Sequence, residues 1–189
     1  MTVRIATPAD LDDLVAIWQE NVVFWRTWHP TALPDWDRDF AERKILRRVA
    51  AGLARLAVSL TPAGEIRAAA FVLRHVPYLS DTGLVEDTEA LVIWMVKFVR
   101  RANGTVNQAA TITRFNESMT ELFEAWCRAA QADGVAWLQG SFSEAGPAAS
   151  LAFLDAITTR SGVQPEIRGG MRRYLMTPAQ LLVGVGAVS

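Results

Sequence analysis

The chain has 189 residues, of which 21% are charged and 51% hydrophobic, with one cysteine and a formal net charge of -1. A chain of this length can bury a core without metal or disulfide staples, and a single cysteine excludes an internal disulfide. The balanced charge excludes a general electrostatic attraction to nucleic acid or anionic membranes. We therefore expect one domain over residues 1–189 with no nucleic-acid or membrane partner.

Further features bear on the cellular location. A lone Cys127 indicates a reducing compartment, and we expect it to be a structural thiol rather than a nucleophile. The first ten residues lack the basic and apolar regions of a signal peptide, and the longest apolar run, residues 90–96, is far short of the roughly 20 residues that cross a bilayer. We expect a cytoplasmic protein. Two separated histidines and scattered acids provide no metal-ligand spacing, so no metal is expected.

The first half of the chain contains clear local signals. Thr7 and Pro8 have the residue types of a helix N-cap and first position. An aromatic segment follows that helix and is broken by Pro30 and Pro34, which predicts a loop or a kinked helix. In order, we predict a strand at 3–6, a helix from residue 8, a helix at 37–51, and strands at 53–60 and 66–76.

The middle of the chain, residues 77–104, supports two interpretations. Its apolar part could form a strand that pairs with residues 105–114 through a turn at Asn103 and Gly104. It could equally form a helix that the same two residues terminate. We favour a helical insertion at 77–104, with residues 105–114 forming the next strand of the sheet. A helix would then run to Gly134.

The last part of the chain returns to alternating elements. We predict a strand at 135–142, a helix at 148–159 and a strand at 172–176. The small apolar residues at 181–189 are predicted to be a poorly ordered end or an added edge strand.

This order of elements resembles the GNAT superfamily of acyl-CoA-dependent N-acyltransferases. The resemblance covers most of the chain, except the aromatic segment, the insertion and the C-terminal tail. It implies an α/β fold with a mixed, mostly antiparallel sheet flanked by helices. It also implies acetyl-CoA or another acyl-CoA as the donor.

Members of this family carry a motif of Arg or Gln, two residues, Gly, one residue, then Gly or Ala, whose N–H groups hold the cofactor pyrophosphate. Gly134 favours one register, because 134 minus 119 leaves 15 residues, about the length of the family's helix. A competing register on residues 101–106 keeps Gly104 but leaves a much longer gap. The favoured register predicts cofactor binding by Arg114, Phe115, Asn116, Glu117, Ser118 and Met119.

The sequence departs from the family pattern at three positions. Glu117 and Met119 stand where the motif has glycine, and the Glu117 carboxylate would compete with a phosphate for the helix N–H groups. An ordinary capped helix without a phosphate site is an equal alternative. The family's proton-donating tyrosine would lie in residues 151–162, where the aromatic residue is Phe153; Tyr174 and Tyr78 are alternative donors.

The resemblance also suggests residues that would contact the acceptor. His75 ends a predicted strand and Glu144 follows another, so either could accept a proton from the amine. Tryptophans in the aromatic segment would suit an apolar, aromatic or cationic acceptor, and would equally suit a contact between two copies of the chain in a homodimer. The predicted substrate-binding residues are Trp25, Trp28, His29, Asn107 and Thr111.

We therefore expect a transferase that moves an acyl group from a thioester, carried by CoA or by a carrier protein, to the amine of a small molecule. The alternative is a GNAT-fold protein that does not use CoA. Such a protein would be a decarboxylase or lyase of a biosynthetic pathway, or a non-catalytic binding protein.

Overall fold

The computed structural model describes residues 2–26 and 37–186. Its strands form one seven-stranded sheet in the order β1-β2-β3-β4-β5-β7-β6. β4 and β5 are parallel, whereas β1–β2, β5–β7 and β6–β7 are antiparallel. The strands are β1 Thr2–Ile5, β2 Ala54–Leu60, β3 Ile66–Ser80, β4 Gly83–Val96, β5 Leu138–Ser143, β6 Glu166–Arg168 and β7 Met171–Met176. The predicted α/β class, with a mixed, mostly antiparallel sheet and flanking helices, is confirmed.

Helices account for most of the remaining described chain. A 3-10 turn at Pro8–Asp10 precedes the first helix, and a π-helical stretch at Ala41–Leu46 joins the second to the third. The helices are α1 Leu11–Arg26, α2 Arg38–Phe40, α3 Arg47–Ala50, α4 Gln108–Ala132, α5 Ala148–Ser161 and α6 Pro178–Val185. No described helix combines the length and apolarity that spanning a membrane requires.

The chain divides into two compact units, which we call the first and second units. The first contains Met1–Phe71 and Trp94–Leu122, and the second contains Val72–Ile93 and Phe123–Ser189. β3, β4 and α4 each contribute residues to both. In the first unit, the fully buried side chains include Leu14, Trp18, Leu56, Val58, Met119 and Leu122. In the second they include Glu89, Cys127, Leu138, Ile157 and Val185.

A charged contact closes the N-terminal turn of the first unit. The Arg4 guanidinium donates to both carboxylate oxygens of Asp10 at 2.7 Å, and the Thr7 N–H donates to the same carboxylate at 2.7 Å. The hydrogen bonds from Arg4 hold the pKa of Asp10 well below its usual range, against the opposing effect of burial. The capping predicted at Thr7 therefore includes an ion pair that the local pattern does not reveal.

We expect Asp10→Asn to lower the free energy of unfolding by about 2 kcal/mol at pH 7, because charge-assisted hydrogen bonds are lost. Since the pKa of Asp10 is lowered on folding, its contribution is complete above the unfolded-state pKa of about 3.9 and disappears as the pH falls through the folded value. Urea denaturation at pH 7 and down to pH 2 measures this. The difference from wild type should shrink below about pH 4.

Asp12→Asn is the matched control for that experiment. Asp12 pairs with Arg38, but its side chain is 81% exposed. Its replacement should change stability by no more than about 0.5 kcal/mol. A loss for Asp10→Asn that stays constant down to pH 2 would show that the carboxylate charge contributes nothing.

The helical insertion predicted at residues 77–104 is wrong. Residues 66–96 instead form the long hairpin of β3 and β4, which turns at Asp81 and Thr82. Thr88, which is fully buried on β4, donates a 2.6 Å hydrogen bond to the Val76 carbonyl of β3. The apolar run at residues 90–96 fits a buried strand as well as a helix, so its periodicity could not distinguish them.

The strand predicted at residues 105–114 is also wrong, because α4 begins at Gln108 and runs for 25 residues. The Asn103 and Gly104 turn does form: Gly104 has a φ of 80°, and Arg100 makes an isolated antiparallel bridge with Val106. The pairing stops there because Asn107 starts the helix. Its side-chain Oδ1 accepts a hydrogen bond from the Ala110 N–H at 3.3 Å.

Helix α6 covers Pro178–Val185, so the irregular end or edge strand predicted at residues 181–189 is wrong for residues 181–185, while residues 187–189 lie outside the described part of the chain. Thr177 and Gln180 make a reciprocal capping box at the start of α6. Near its end, α6 approaches α5 closely, since a Cβ added to Gly184 would lie 2.6 Å from the Ile157 carbonyl oxygen. A glycine is therefore required at this contact.

Candidate functional site

The parallel strands of the second unit separate partway along their length. β4 and β5 pair at Glu89↔Leu138, Ala90↔Gln139 and Leu91↔Gly140. Beyond these pairs, residues 141–143 of β5 pair with β7, and Val92 of β4 is 48% exposed. Val92 and Ile93 have no pairing partner among the described residues of β5. An opening therefore forms between the two strands after Leu91.

An apolar pocket that is partly open to solvent adjoins these strands in the second unit, with about 370 Å³ of space not filled by atoms, open solvent included. Side chains from the sheet and from α4, α5 and α6 form its walls. The lining residues are Leu91, Phe123, Trp126, Leu138, Gln139, Gly140, Phe142, Leu154, Ile157, Thr158, Tyr174, Met176 and Leu181. Hereafter this is the unit-2 pocket.

Tyr174 is the most unusual polar residue of the unit-2 pocket. It lies on β7 opposite Gly140, is 2% exposed, and its hydroxyl has no hydrogen-bond partner. Burial raises the pKa of this hydroxyl, and the Arg172 guanidinium, close by but not in hydrogen-bond geometry, partly opposes the rise. The hydroxyl therefore stays protonated at neutral pH and has a hydrogen bond to offer. Phe153, where the family's tyrosine was expected, is 3% exposed and packs edge-on against Phe123.

His75 lies on β3 with a φ of 56°, the one positive φ among the described residues other than glycine. Its Nδ1 is 3.0 Å from an Asp87 carboxylate oxygen on β4, and the His75 side chain is 56% exposed. Such backbone conformations are uncommon outside glycine and cluster at functional sites. The geometry presents an imidazole to solvent, oriented by a carboxylate.

Glu144 lies in the turn after β5 and is exposed. Its backbone N–H donates to the Gly170 carbonyl at 2.9 Å, and its carboxylate lies 3.7 Å from Nε of Arg172. Arg172 also binds the Asp155 carboxylate at 2.6 Å. Glu144, Asp155 and Arg172 therefore form a charged cluster in which one arginine contacts both carboxylates.

The loop of residues 97–107, between β4 and α4 in the first unit, is held by a tight turn. Arg101 N–H donates to the Thr105 carbonyl at 2.9 Å, and Gly104 N–H donates to the Arg101 carbonyl at 2.9 Å. The backbone N–H groups of four exposed residues, Arg100, Ala102, Asn103 and Val106, have no partner among the described residues. This is the competing register of the phosphate motif, and the 25 residues of α4 account for the long gap that had argued against it.

Residues 114–119 lie inside α4, so the loop-to-helix junction predicted there is wrong. Backbone N–H groups inside a helix are used by the helix itself and cannot surround a phosphate. Ser118 and Met119 are completely buried, and Phe115 packs edge-on against Trp94 with ring centroids 5.3 Å apart. The Arg114 guanidinium donates to the Lys97 carbonyl, and Glu117 pairs with Arg67. Asn116 is half-buried on the same helix.

The predicted substrate residues fall in separate places. Asn107 caps α4, and the Thr111 hydroxyl accepts a hydrogen bond from the Val99 N–H at 3.0 Å, so both fasten the loop to the helix. Trp25 is in α1, but its side chain lies outside the described part of the chain, as do Trp28 and His29 entirely. Their contact with an acceptor stays a prediction.

Sequence reasoning missed the unit-2 pocket, although it named Tyr174 as an alternative proton donor. Five elements other than β7 contribute lining residues to this pocket. Residues such as Gln139, Thr158 and Leu181 belong to no local sequence motif. One signal was present: small Gly140 inside a predicted strand marks a place where another group can approach closely.

Several solved structures with a similar backbone are acetyltransferases. The chain is 18% identical to a GNAT-family acetyltransferase from Listeria monocytogenes, which aligns over 93% of this chain and 94% of that one with a TM-score of 0.53. The chain has the GNAT fold. The chain is 19% identical to the ribosomal-protein-alanine N-acetyltransferase of Brucella melitensis. That alignment covers 94% of this chain and 99% of the other, with a TM-score of 0.56. An N-acetyltransferase from Staphylococcus aureus gives 15% identity, 94% and 98% coverage, and a TM-score of 0.60.

No family model and no curated protein matches the chain. The GNAT fold is therefore shared at low sequence identity. Within the described residues, no group of three or more His, Cys, Asp or Glu side chains could hold a metal ion. The features available for chemistry are the separated strands β4 and β5, the unit-2 pocket and the 97–107 loop.

Proposed function

We propose that this GNAT-fold protein transfers an acyl group from a CoA thioester to the amine of a small molecule. The observation that carries the proposal is in the second unit, where β4 and β5 separate after Leu91 and the adjoining pocket contains an unpartnered, buried tyrosine hydroxyl. Such an opening gives a thioester access to strand backbone and to a proton donor. Similar solved structures include a GNAT-family acetyltransferase and a toxin with acetyl-CoA bound, and both support this choice of donor.

The 97–107 loop is the segment we assign to the donor's diphosphate. It offers four N–H groups without partners among the described residues, at Arg100, Ala102, Asn103 and Val106. Lys97 and Arg101 are exposed in the same loop. Clustered N–H groups near a helix N-terminus, together with cationic side chains, bind phosphate. This assignment replaces the one at residues 114–119.

Transfer needs a proton donor for the leaving sulfur. The amine nitrogen attacks the thioester carbonyl carbon and forms the C–N bond, while the C–S bond breaks and sulfur leaves with its electron pair. We assign the proton that sulfur takes up to Tyr174, whose raised pKa keeps the hydroxyl protonated at neutral pH. The resulting tyrosinate regains its proton from solvent.

Transfer also needs an acceptor for the amine proton, and this role fits His75. The imidazole is exposed, its Nδ1 lies 3.0 Å from an Asp87 carboxylate oxygen, and imidazole is the most frequent general base in enzymes. Glu144 is the second candidate from the sequence. Its carboxylate already pairs with Arg172, with 3.7 Å between a carboxylate oxygen and Nε, so we assign the role to His75.

Replacing Gly104 with alanine tests the loop. Gly104 has a φ of 80°, which lies in the left-handed region and costs an L-residue such as alanine roughly 1–2 kcal/mol. The substitution should therefore disturb the turn, and with it the positions of the unpartnered N–H groups. We expect affinity for acetyl-CoA and hexanoyl-CoA, measured by titration calorimetry, to fall about tenfold or more, because even one lost bond to a charged phosphate is worth about 1.5–3 kcal/mol.

The control is Gly64→Ala in the turn between β2 and β3. Gly64 has a φ of 85°, and like Gly104 it has no atom within 4 Å of an added Cβ. The two variants should lose similar stability, and only the first should bind CoA esters more weakly. Equal affinities would place the diphosphate elsewhere. Failure of wild type to bind any CoA ester would overturn the proposed function.

A further inference from the structure

The unit-2 pocket has walls that are apolar almost throughout. Of its lining residues, only Gln139, Thr158 and Tyr174 carry polar side-chain groups apart from the indole of Trp126. The Trp126 Nε1 donates to Glu89 at 2.7 Å. No lining residue is charged. A pocket of this composition favours an apolar occupant by the area that it removes from water.

Most of the polar groups in the lining are already committed. The Gln139 amide nitrogen donates to the Thr88 hydroxyl at 2.5 Å, and the Thr158 hydroxyl donates to the Asp155 carbonyl at 3.1 Å within its own helix. The Tyr174 hydroxyl is the exception, since it is buried without a partner. A ligand that satisfies this pocket therefore has an apolar body and one polar end.

We propose that the unit-2 pocket binds an aliphatic acyl chain longer than acetyl, with the Tyr174 hydroxyl at the thioester end of the chain. This rests on the proposed function and names the class of acyl donor. The part of the occupant that contacts the apolar walls has to be hydrocarbon. The occupant also has to bring one acceptor atom to a single donor, and the carbonyl or sulfur of an acyl thioester meets that need.

Other parts of the substrates fit this pocket less well. The pantetheine arm of CoA contains two amides, and burying them in this lining without hydrogen-bond partners is unfavourable. An ammonium group of an acceptor would need a carboxylate, and the lining has none. A flexible chain also follows the irregular surface between branched side chains such as Leu154, Ile157 and Leu181 better than a flat ring does.

The C-terminal helix completes the pocket. Leu181 of α6 is a lining residue and is 3% exposed. Its position depends on the Thr177 capping box and on the close approach of Gly184 to Ile157. These contacts give α6 a defined role, which is to supply one wall of the acyl site.

The test compares a series of acyl chains on two carriers. Binding of C2, C4, C6 and C8 acyl-CoA, and of the same acyl groups on N-acetylcysteamine, is measured by calorimetry without an amine. Burial of a methylene is worth about 0.8 kcal/mol, so we expect the affinity to rise about fourfold per methylene beyond acetyl until the pocket is full. The rise should appear on both carriers.

Thr158→Phe should remove that rise by filling the pocket, and Thr159→Phe is its control. Thr159 is the next residue of α5, is exposed, and donates to the same Asp155 carbonyl, at 2.7 Å. Thr158→Phe should bind acetyl and octanoyl thioesters with similar affinity, whereas Thr159→Phe should keep the wild-type series. If Thr158→Phe fails to fold, Thr158→Leu should shorten the preferred chain by one or two carbons.

The outcomes separate the two proposals. Equal affinity for acetyl-CoA and all longer acyl-CoAs in wild type would overturn the acyl pocket and leave the acyltransferase in place. A preference for benzoyl over every aliphatic thioester would overturn the aliphatic assignment. Chain-length dependence on N-acetylcysteamine with no binding of any CoA ester would support the pocket and overturn the donor.

Discussion

Replacing Arg67 with leucine is expected to lower the free energy of unfolding by about 3–5 kcal/mol. The Arg67 side chain is 8% exposed on β3 in the first unit. Its Nε donates to the Ser59 hydroxyl at 2.9 Å, and its guanidinium binds Glu121 of α4 at 2.5 Å. Leucine would leave the Glu121 carboxylate, itself only 17% exposed, without its cation. The measurement is urea denaturation followed by tryptophan fluorescence.

Arg128→Leu provides the exposed counterpart. Arg128 pairs with Glu124 at 3.4 Å on the same helix, but the arginine side chain is 74% exposed. Exposed pairs of this kind contribute about 0–1 kcal/mol, so this variant should stay near wild type. A similar small loss for Arg67→Leu would mean that the buried network of Arg67, Ser59 and Glu121 does not hold α4 to the sheet.

Tyr174→Phe is expected to slow acyl transfer about 100-fold or more while making the protein slightly more stable. Loss of a general acid costs roughly 10²–10⁴ in rate. Removal of a buried hydroxyl without a hydrogen-bond partner should raise the free energy of unfolding by about 1 kcal/mol. Burial takes the hydroxyl out of water, and no hydrogen bond in the folded protein replaces those it made to water. Steady-state transfer kinetics and urea denaturation measure the two effects.

Tyr78→Phe is the matched control, with the opposite expectation for stability. Tyr78 is also buried, at 3% exposure, but its hydroxyl donates to Glu166 at 3.1 Å. Its replacement should cost about 1 kcal/mol and leave transfer unchanged. If Tyr174→Phe instead lowered stability with no effect on the transfer rate, the hydroxyl would have a structural role only.

Local signals in the sequence were sufficient for the outer parts of the fold. Thr7 and Pro8 do stand at the start of the first helical turn, and the strands predicted at 53–60 and 66–76 are present as β2 and β3. The resemblance to the GNAT superfamily, based on the order of elements, is supported by the solved structures. The helix start and the two strands depend on residues close together in the chain, and local patterns are most informative for such features.

The centre of the fold could not be predicted in the same way. The apolar run at residues 90–96 has no periodicity that separates a strand from a helix. The phosphate motif was placed by its distance from Gly134, and that distance assumed a helix of about 15 residues. α4 has 25 residues, so the register moved to the loop that contains Gly104. A helix length set by tertiary packing cannot be read from one motif.

The unit-2 pocket depends on tertiary structure still more strongly. Its lining residues are far apart in sequence, from Leu91 on β4 to Leu181 on α6. The significance of Tyr174 comes from the missing hydrogen-bond partner, which appears only when neighbouring side chains are in place. The sequence could name the tyrosine as an alternative donor but could not choose it.

Acyl transfer itself is the measurement that tests this account most directly. Purified protein is incubated with hexanoyl-CoA and a panel of polyamines, amino acids and arylalkylamines, and the products are identified by mass spectrometry. We predict that one class of amine gains a hexanoyl group in place of a hydrogen, with equimolar release of CoA, and that Tyr174→Phe slows this conversion strongly. Thioester that stays intact with every amine, or that is only hydrolysed at a rate independent of amine, would contradict the assignment.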